Sequence, residues 1–525
     1  MRNQTKKHLL NPYLSRRDFL KLTQLLPLGI LSHSVSKRHD HAPKQEDLPN
    51  ILIILFDTLS ARNMSLYGYP RQTTPNLERA ANEGATVFHR HYAGGSWTPP
   101  GTASLLTSTY PWTHRALHSF GTTLKRFEHQ NIFSLLNPIY TSFAYSHNKF
   151  AYLLLDQFYT HIDQIVPRES LCLYSDHYSD KIFNNDFKIF SQAEAILFWW
   201  QHDQQASLLL SRYRRSIKLK VEELLNQKYD ERFPRGVPNS TLIYFTLEEA
   251  MDWIKKQVTT SQQPFLGYVH LFPPHYPYTT RSDFIDRFLD NWQPSSKPKS
   301  VFAEDPYDMV TLRGQYDEFI GDVDAEFGRL FNYLRDSGGL ENTCLIFTSD
   351  HGEMFERGIW QHRTPALYES ILHIPLLIWK PGQSERVDVH TPTSCVDILP
   401  TLLQVAGQSI PDWCQGEVLP ALGGETKNKC NSIFAIDSKE NSKFRPLTQG
   451  SIAHYKGPYK LSYYFGYKQT QDFFEFYNIE DDPEELTNLY PKEPSVARKM
   501  KEELLEELSS SNQQFQRKRQ VDDHP

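Results

Sequence analysis

The sequence predicts an α/β fold, a doubly wound and mostly parallel sheet flanked by helices, with a smaller α+β subdomain at the C-terminal end. Three observations carry that prediction. The runs Asn50–Phe56, Pro264–Phe272, Thr343–Ser349 and Pro375–Trp379 are apolar almost throughout, as strands buried on both faces of a parallel sheet must be. Helical periodicity fills the intervals between them, as at Tyr316–Leu334, so strands alternate with helices. The first and third runs end on carboxylates, Asp57 and Asp350. In open sheets ligands gather beyond the carboxyl ends of strands, so one site can draw on both.

Composition agrees and removes several functions. The 525 residues allow about two to four domains at roughly 100–200 residues each. With 39% hydrophobic and 22% charged residues, a sizeable core is available and wholesale disorder is excluded. Net charge is −6, of which residues 1–50 carry +5 (nine Lys/Arg against four Asp/Glu), leaving −11 on the rest. An acidic body argues against a nucleic-acid binder that works by neutralising phosphates. The five cysteines form neither a dense disulfide framework nor a CxxC metal knuckle. No stretch of eighteen apolar residues is present, so no mature transmembrane helix is expected.

Residues 1–49 read as an address and a linker. Ser15-Arg16-Arg17-Asp18-Phe19-Leu20-Lys21 is a twin-arginine pattern ahead of the short apolar run Leu22–Leu31, which has the length of a signal h-region. It resembles the bacterial Tat signal, which implies export by the Tat machinery to the periplasmic or extracellular face. Ser34-Val35-Ser36 is the best cleavage candidate; an uncut segment would be an anchor. The polar stretch His39–Pro49 then leads into the first strand.

The stretch Trp97-Thr98-Pro99-Pro100-Gly101-Thr102-Ala103-Ser104-Leu105-Leu106-Thr107-Ser108-Thr109-Tyr110-Pro111 resembles the sulfatase signature Cys/Ser-x-Pro-Ser-Arg-x-x-Leu-Leu-Thr-Gly-x-Tyr-Pro of the alkaline-phosphatase superfamily. Further similarities follow in order: Asp57-Thr58-Leu59, Thr74-Pro75-Asn76-Leu77, His275-Tyr276-Pro277-Tyr278, Val323-Asp324, Ser349-Asp350-His351-Gly352-Glu353, Asp397-Ile398-Leu399-Pro400-Thr401, and Asp482-Pro483-Glu484 through Asn488-Leu489. The resemblance spans residues 50–490, with little of the pattern in 150–260. It implies a catalytic domain over 50–422, a C-terminal subdomain over 423–508, and a metal-dependent ester hydrolase of sulfate- or phosphate-type esters.

A divalent cation held by Asp57, Asp350 and His351 would neutralise the ester oxygens and activate a coordinated hydroxyl, for which Thr98 is the aligned position. A helix cap at Thr98 is the structural alternative, and the two are compatible because a helix N-terminus is itself an anion site. The resemblance implies one cation, calcium by family habit; His351 in place of the usual Asn moves preference toward manganese or zinc. No Asp has a His four residues later, so the two-zinc pattern is absent.

Position 98 is Thr and the motif's Arg is Thr102, so formylglycine chemistry is not expected and a phosphate or phosphonate ester attacked by Thr98 is. The alternatives are phospho-group transfer to envelope glycans or lipids, and a non-catalytic protein that binds anionic glycans. His362 falls where sulfatases place a Lys and is read as a general acid; His275 is read as facing substrate. Thr58 reads as a cap or a ligand, His270 as core, Asp324 as packing or capping, and Asp176, His177 and Asp180 as surface polar residues. Residues 150–260, with Phe198-Trp199-Trp200 and the basic amphipathic stretch Leu208–Leu225, read as a helical cap or a lid over an anionic substrate. Strands are expected at Tyr459–Tyr464 and Phe473–Ile479, a charged helix at Met500–Leu508, and a frayed tail from Ser509.

Overall fold

A computed structural model describes residues 48–118, 121–174, 209–240, 243–304, 307–424, 432–492 and 494–517. The signal segment, Phe198-Trp199-Trp200, Asp176, His177 and Asp180 lie outside the described residues.

The central sheet is built from β1 (Asn50–Phe56), β2 (Thr86–Phe88), β3 (Thr141–Ser146), β4 (Gln164–Ile165), β5 (Phe265–Leu271), β6 (Thr343–Ser349), β7 (Leu376–Trp379) and β8 (Val387–Val389). Their order is β8-β2-β7-β6-β1-β5-β3-β4, and β7 runs antiparallel to both neighbours while the other pairs are parallel. The flanking helices are α1 (Pro75–Asn82), α2 (Thr98–Thr107), α3 (Lys149–Gln157), α4 (Leu209–Lys228), α5 (Leu247–Thr260), α6 (Met309–Asp336) and α7 (Ile398–Val405).

The two-sided core explains the unbroken apolar runs. Successive strand residues point to opposite faces. Ile51, Ile53, Leu55, Leu266 and Tyr268 pack against Leu105, Leu106, Leu154 and Leu402, on the side of α2, α3 and α7. Leu52, Ile54, Phe56, Phe265 and Val269 pack against Leu77, Met251, Ile254 and Phe327, on the side of α1, α5 and α6. Both faces are covered, so neither register position can be polar without a partner.

The C-terminal sheet has four strands in sequence order, β9 (Ile433–Asp437), β10 (Gly450–Lys456), β11 (Tyr459–Phe465) and β12 (Phe473–Asn478), all antiparallel. It is followed by α8 (Ser495–Arg517). Two expectations need correction here. The tail is not frayed from Ser509: the helix continues to Arg517, Ser511 Oγ donates to Trp112 O at 3.1 Å, and the Asn512 side chain pairs with both backbone groups of Leu447. Polar composition had suggested fraying, but these bonds are tertiary. Region 150–260 is also more than a helical cap, because β4 adds to the edge of the central sheet alongside β3. No helix among the described residues is long and apolar enough to cross a membrane.

Candidate active site

Four sheet strands deliver polar groups to one place. Asp57 follows β1, Asp350 follows β6, His270 is the penultimate residue of β5, and Asn148 lies two residues beyond β3. The strands are adjacent and parallel, so their carboxyl ends coincide, although the residues are up to 293 positions apart. The turn after β1 is held in an unusual shape. Thr58 has φ 61°, a left-handed conformation costly for a β-branched residue. Three neighbours impose it: Thr58 N–H donates to Asp350 Oδ1 at 3.3 Å, Tyr316 Oη donates to Thr58 O at 2.5 Å, and Leu59 N–H donates to Ser349 Oγ at 3.0 Å.

All of these side chains are buried. His351 Nε2 lies 3.6 Å from Asp57 Oδ1 and 3.5 Å from Asp350 Oδ2. His270 Nε2 lies 3.4 Å from Asp57 Oδ2 and 3.7 Å from Asp350 Oδ2. His351 Nδ1 is 3.0 Å from Gly352 O, which places the ring proton on Nδ1 and leaves Nε2 a free lone pair aimed at the carboxylates. Burial together with the Asp57 charge pushes the Asp350 carboxyl up to about 8. Burial also raises Asp57, but the His270 ring beside it and the charges of His275, His270 and His351 outweigh it and hold that carboxyl below its ordinary value.

Four buried atoms here, Asp57 Oδ1, Asp350 Oδ2, His270 Nε2 and Thr58 Oγ1, have no hydrogen-bond partner. Unpaired buried carboxylates are expensive, and a site that aims two of them and imidazole lone pairs at one point matches the donor set of a divalent cation. Asp57, His270 and Asp350 offer ligand atoms close enough to share one ion.

Thr98 opens α2. Its neighbour Trp97 is the N-cap residue and makes no side-chain cap bond. Thr98 Oγ1 instead faces the cluster, 3.1 Å from Asn148 Nδ2 and 3.5 Å from His351 Nε2. Asn148 works twice, capping α3 through Oδ1 to Phe150 N–H at 2.8 Å, while its Nδ2 donates to both Asp57 and Thr98. The helix end itself is a poor anion site. Gly101 N–H is already bonded to Trp97 O, and Pro99 and Pro100 have no N–H, so Thr98 supplies the one remaining first-turn donor. Side chains must therefore bind the anion. Gly101, where the motif has Ser, is required by packing: a Cβ there would stand 2.3 Å from Asp350 O.

His362 and His275 line the same site. The His362 ring is 4.4 Å from that of His351 and 5.2 Å from that of His275, centroid to centroid. His362 Nδ1 is 3.0 Å from Glu353 Oε1, and Glu353 Oε2 accepts from Tyr278 Oη at 3.2 Å. Burial keeps His362 well below its ordinary value, and the charges of His351, His275, Arg363 and Lys439 add to that. Burial likewise lowers His275 and His351.

The structure thus brings together Asp57, Thr98, His275, Asp350, His351 and His362. It corrects the reading of His270 as core: the residue is fully buried, but its ring faces the two carboxylates. The signal was a lone His in an otherwise apolar strand one position from the carboxyl end. Asn148 was missed too, because its strand alternates weakly and was not read as part of the sheet. Asp324 is kept away from the site by capping α1, accepting from Asn76 N–H and Leu77 N–H at 2.9 and 2.7 Å.

Two converging carboxylates, two imidazoles and a hydroxyl come together at the carboxyl ends of the strands, where an α/β fold collects its ligands. The sulfatase family profile matches residues 49–408, and the chain belongs to that family. A profile described as N-sulphoglucosamine sulphohydrolase, C-terminal, matches residues 356–514. Arylsulfatase K of Bos taurus is 26% identical over 292 residues, covering 49% of this chain and 53% of that protein. Choline-sulfatase of Rhizobium meliloti is 24% identical over 473 residues, covering 84% and 82%. The chain thus spans about half the length of the arylsulfatase K relatives it matches. The phosphonate monoester hydrolase of Agrobacterium radiobacter shares the fold, with a TM-score of 0.61 at 19% identity, covering 88% of this chain and 96% of that one.

Proposed function

We propose that this protein is an exported, metal-dependent hydrolase of phosphate- or phosphonate-type esters that uses Thr98 as its nucleophile. The observation that carries the reading is a buried hydroxyl, Thr98 Oγ1, 3.5 Å from His351 Nε2, the imidazole nitrogen that itself lies 3.6 and 3.5 Å from the Asp57 and Asp350 carboxylates. Asp57, Asp350 and His270 would hold the cation, with His351 Nε2 turned to the same two carboxylates. When bound, that cation neutralises the ester oxygens and lowers the pKa of the hydroxyl beside it. The imidazole ligand favours manganese or zinc over calcium.

The chain's own groups account for the rest. Asn148 Nδ2 donates to Thr98 Oγ1 and fixes its direction. Threonine's branched Cβ restricts the rotamer further. Thr98 Oγ1 would lose its proton to solvent and then bond to phosphorus as the bond from phosphorus to the leaving oxygen breaks; water then hydrolyses the phosphorylated or phosphonylated threonine, restoring the hydroxyl and releasing the phosphorus acid. Burial pushes the Glu353 carboxyl well above its ordinary value, so it donates its proton to His362 Nδ1 and the one proton of the neutral His362 ring sits on Nε2, from which it would pass to the leaving oxygen; His275 would face the same oxygen region. A secondary alcohol oxidises to a ketone, so the aldehyde hydrate of other sulfatases is unavailable at residue 98.

Elemental analysis of the purified protein, with turnover of phosphodiester, phosphomonoester, phosphonate and sulfate model esters, tests this reading. About one bound divalent ion per chain and fastest turnover of a phosphorus ester are expected. Sulfate as the preferred ester would refute the Thr98 chemistry. No metal and no turnover would leave a protein that binds anionic glycans. For export, replacing Arg16 and Arg17 with Lys should retain the protein inside the cell in fractionation.

A further inference from the structure

Two cations stand at the site without belonging to the reacting cluster. Lys439 comes from the C-terminal sheet, just past the end of β9. That strand is bonded to the nucleophile loop: Ile436 N–H donates to Gly94 O at 3.0 Å, and Ser96 Oγ donates to Asp437 Oδ2 at 3.1 Å. The Lys439 ammonium is 3.2 Å from the same Asp437 oxygen and 5.6 Å from the centre of the Trp97 ring, the residue next to Thr98. Its side chain is 18% exposed. Asp437 takes one of its three donors, and two remain for a ligand.

Arg363 follows His362 directly in the chain. It is exposed and, among the described residues, has no hydrogen bond or ion pair. The charges of both cations reach His362, that of Arg363 also reaches His275, and that of Lys439 also reaches His351. A cation left unpaired beside a catalytic pocket is a costed choice in an acidic chain of net charge −6, where carboxylates are plentiful. The reacting oxygens already have the metal-binding cluster. The rim cations therefore suit a different group.

Resting on the hydrolase reading above, we propose that Lys439 and Arg363 form a two-cation rim that selects esters whose leaving portion carries a second anionic group, a carboxylate or a further sulfate or phosphate. Neutral leaving groups gain nothing from the rim, and cationic ones are repelled by it.

The test compares nitrophenyl phosphonate esters that differ only in a ring carboxylate or a ring trimethylammonium. In the parent protein the carboxylated ester should exceed the neutral one by about tenfold or more in kcat/KM, the scale of one charge-assisted hydrogen bond. The trimethylammonium ester should fall below the neutral one. Lys439→Gln and Arg363→Gln should each lower the carboxylated-to-neutral ratio several-fold, the double variant should bring it near one, and Lys439→Arg should preserve it. A binding arm keeps the two readings apart: 4-carboxyphenylphosphonate should bind tighter than phenylphosphonate by calorimetry, and the double variant should lose that advantage. Absence of turnover with this binding pattern intact would refute the hydrolase reading and keep the rim. Equal affinity for the two phosphonates, or a ratio unmoved in the double variant, would overturn the rim.

Discussion

Two buried charge clusters in this chain use the same residue types and end in opposite states. Between the C-terminal sheet and the body, Lys460 is fully buried, yet its Nζ reaches Glu369 Oε1 at 3.1 Å and Glu485 Oε1 at 2.7 Å. Tyr455 Oη donates to Glu369 at 2.7 Å, and Glu369 N–H donates to Glu485 Oε2 at 2.9 Å. Every charge there is answered from within, and Glu369 is held below its ordinary value because Lys460 and its neighbours outweigh the effect of burial. At the strand ends, Asp57 and Asp350 are buried just as deeply, and one oxygen of each has no partner. Burial alone does not mark a functional site. A buried charge that the protein leaves unanswered does.

That contrast can be broken at several points. The largest effect is expected at the hydroxyl. Thr98→Ala should lose roughly 10²–10⁴ in kcat against a phosphorus ester, while Thr98→Ser keeps measurable turnover. Parent-like turnover by Thr98→Ala would reduce Thr98 to a packing residue of α2. Next is Lys460→Met, which strands Glu369 and Glu485. It should cost about 3–5 kcal/mol in denaturant unfolding, as breaking a buried pair from one side does. Asp350→Asn, by contrast, replaces a carboxyl that the metal-free protein already keeps largely protonated at neutral pH, and should leave its stability unchanged or raised. If both substitutions destabilise equally, the two clusters do not differ in kind.

Smaller still is Gly101→Ala, whose added Cβ meets the Asp350 carbonyl; a loss of about 1–3 kcal/mol and reduced turnover are expected by urea unfolding and assay. The last prediction uses pH. With Asp350 pushed up to about 8 from the ordinary 3.8, the folded metal-free chain keeps a proton that the unfolded chain releases. The stability this group contributes is therefore full below pH 4 and is lost as pH rises toward 8. A divalent cation replaces that proton, so the rise in Tm on adding manganese to chelated protein should be larger at pH 8 than at pH 6. A pH-independent gain would place the cation away from Asp350.

Local pattern determined much of this protein. The runs at residues 50–56 and 343–349 had to be doubly buried parallel strands, because they have no polar face to give to water, and their terminal carboxylates had to lie at a ligand-binding edge. The ordered motifs from Asp57 through Asp482 were legible as side chains and spacings, and they named Thr98, His275, Asp350, His351 and His362. His270 and Asn148 were not legible in this way. An imidazole within a strand looks the same whether it faces a core or two carboxylates, and an asparagine after a weak strand looks like an ordinary cap. Only strand order decides which, because β1, β5, β3 and β6 become neighbours through hydrogen bonds between segments as much as 293 residues apart. The antiparallel direction of β7, the folded end of α8 and the approach of Lys439 to Trp97 are tertiary in the same sense. Each depends on a partner that local periodicity cannot identify.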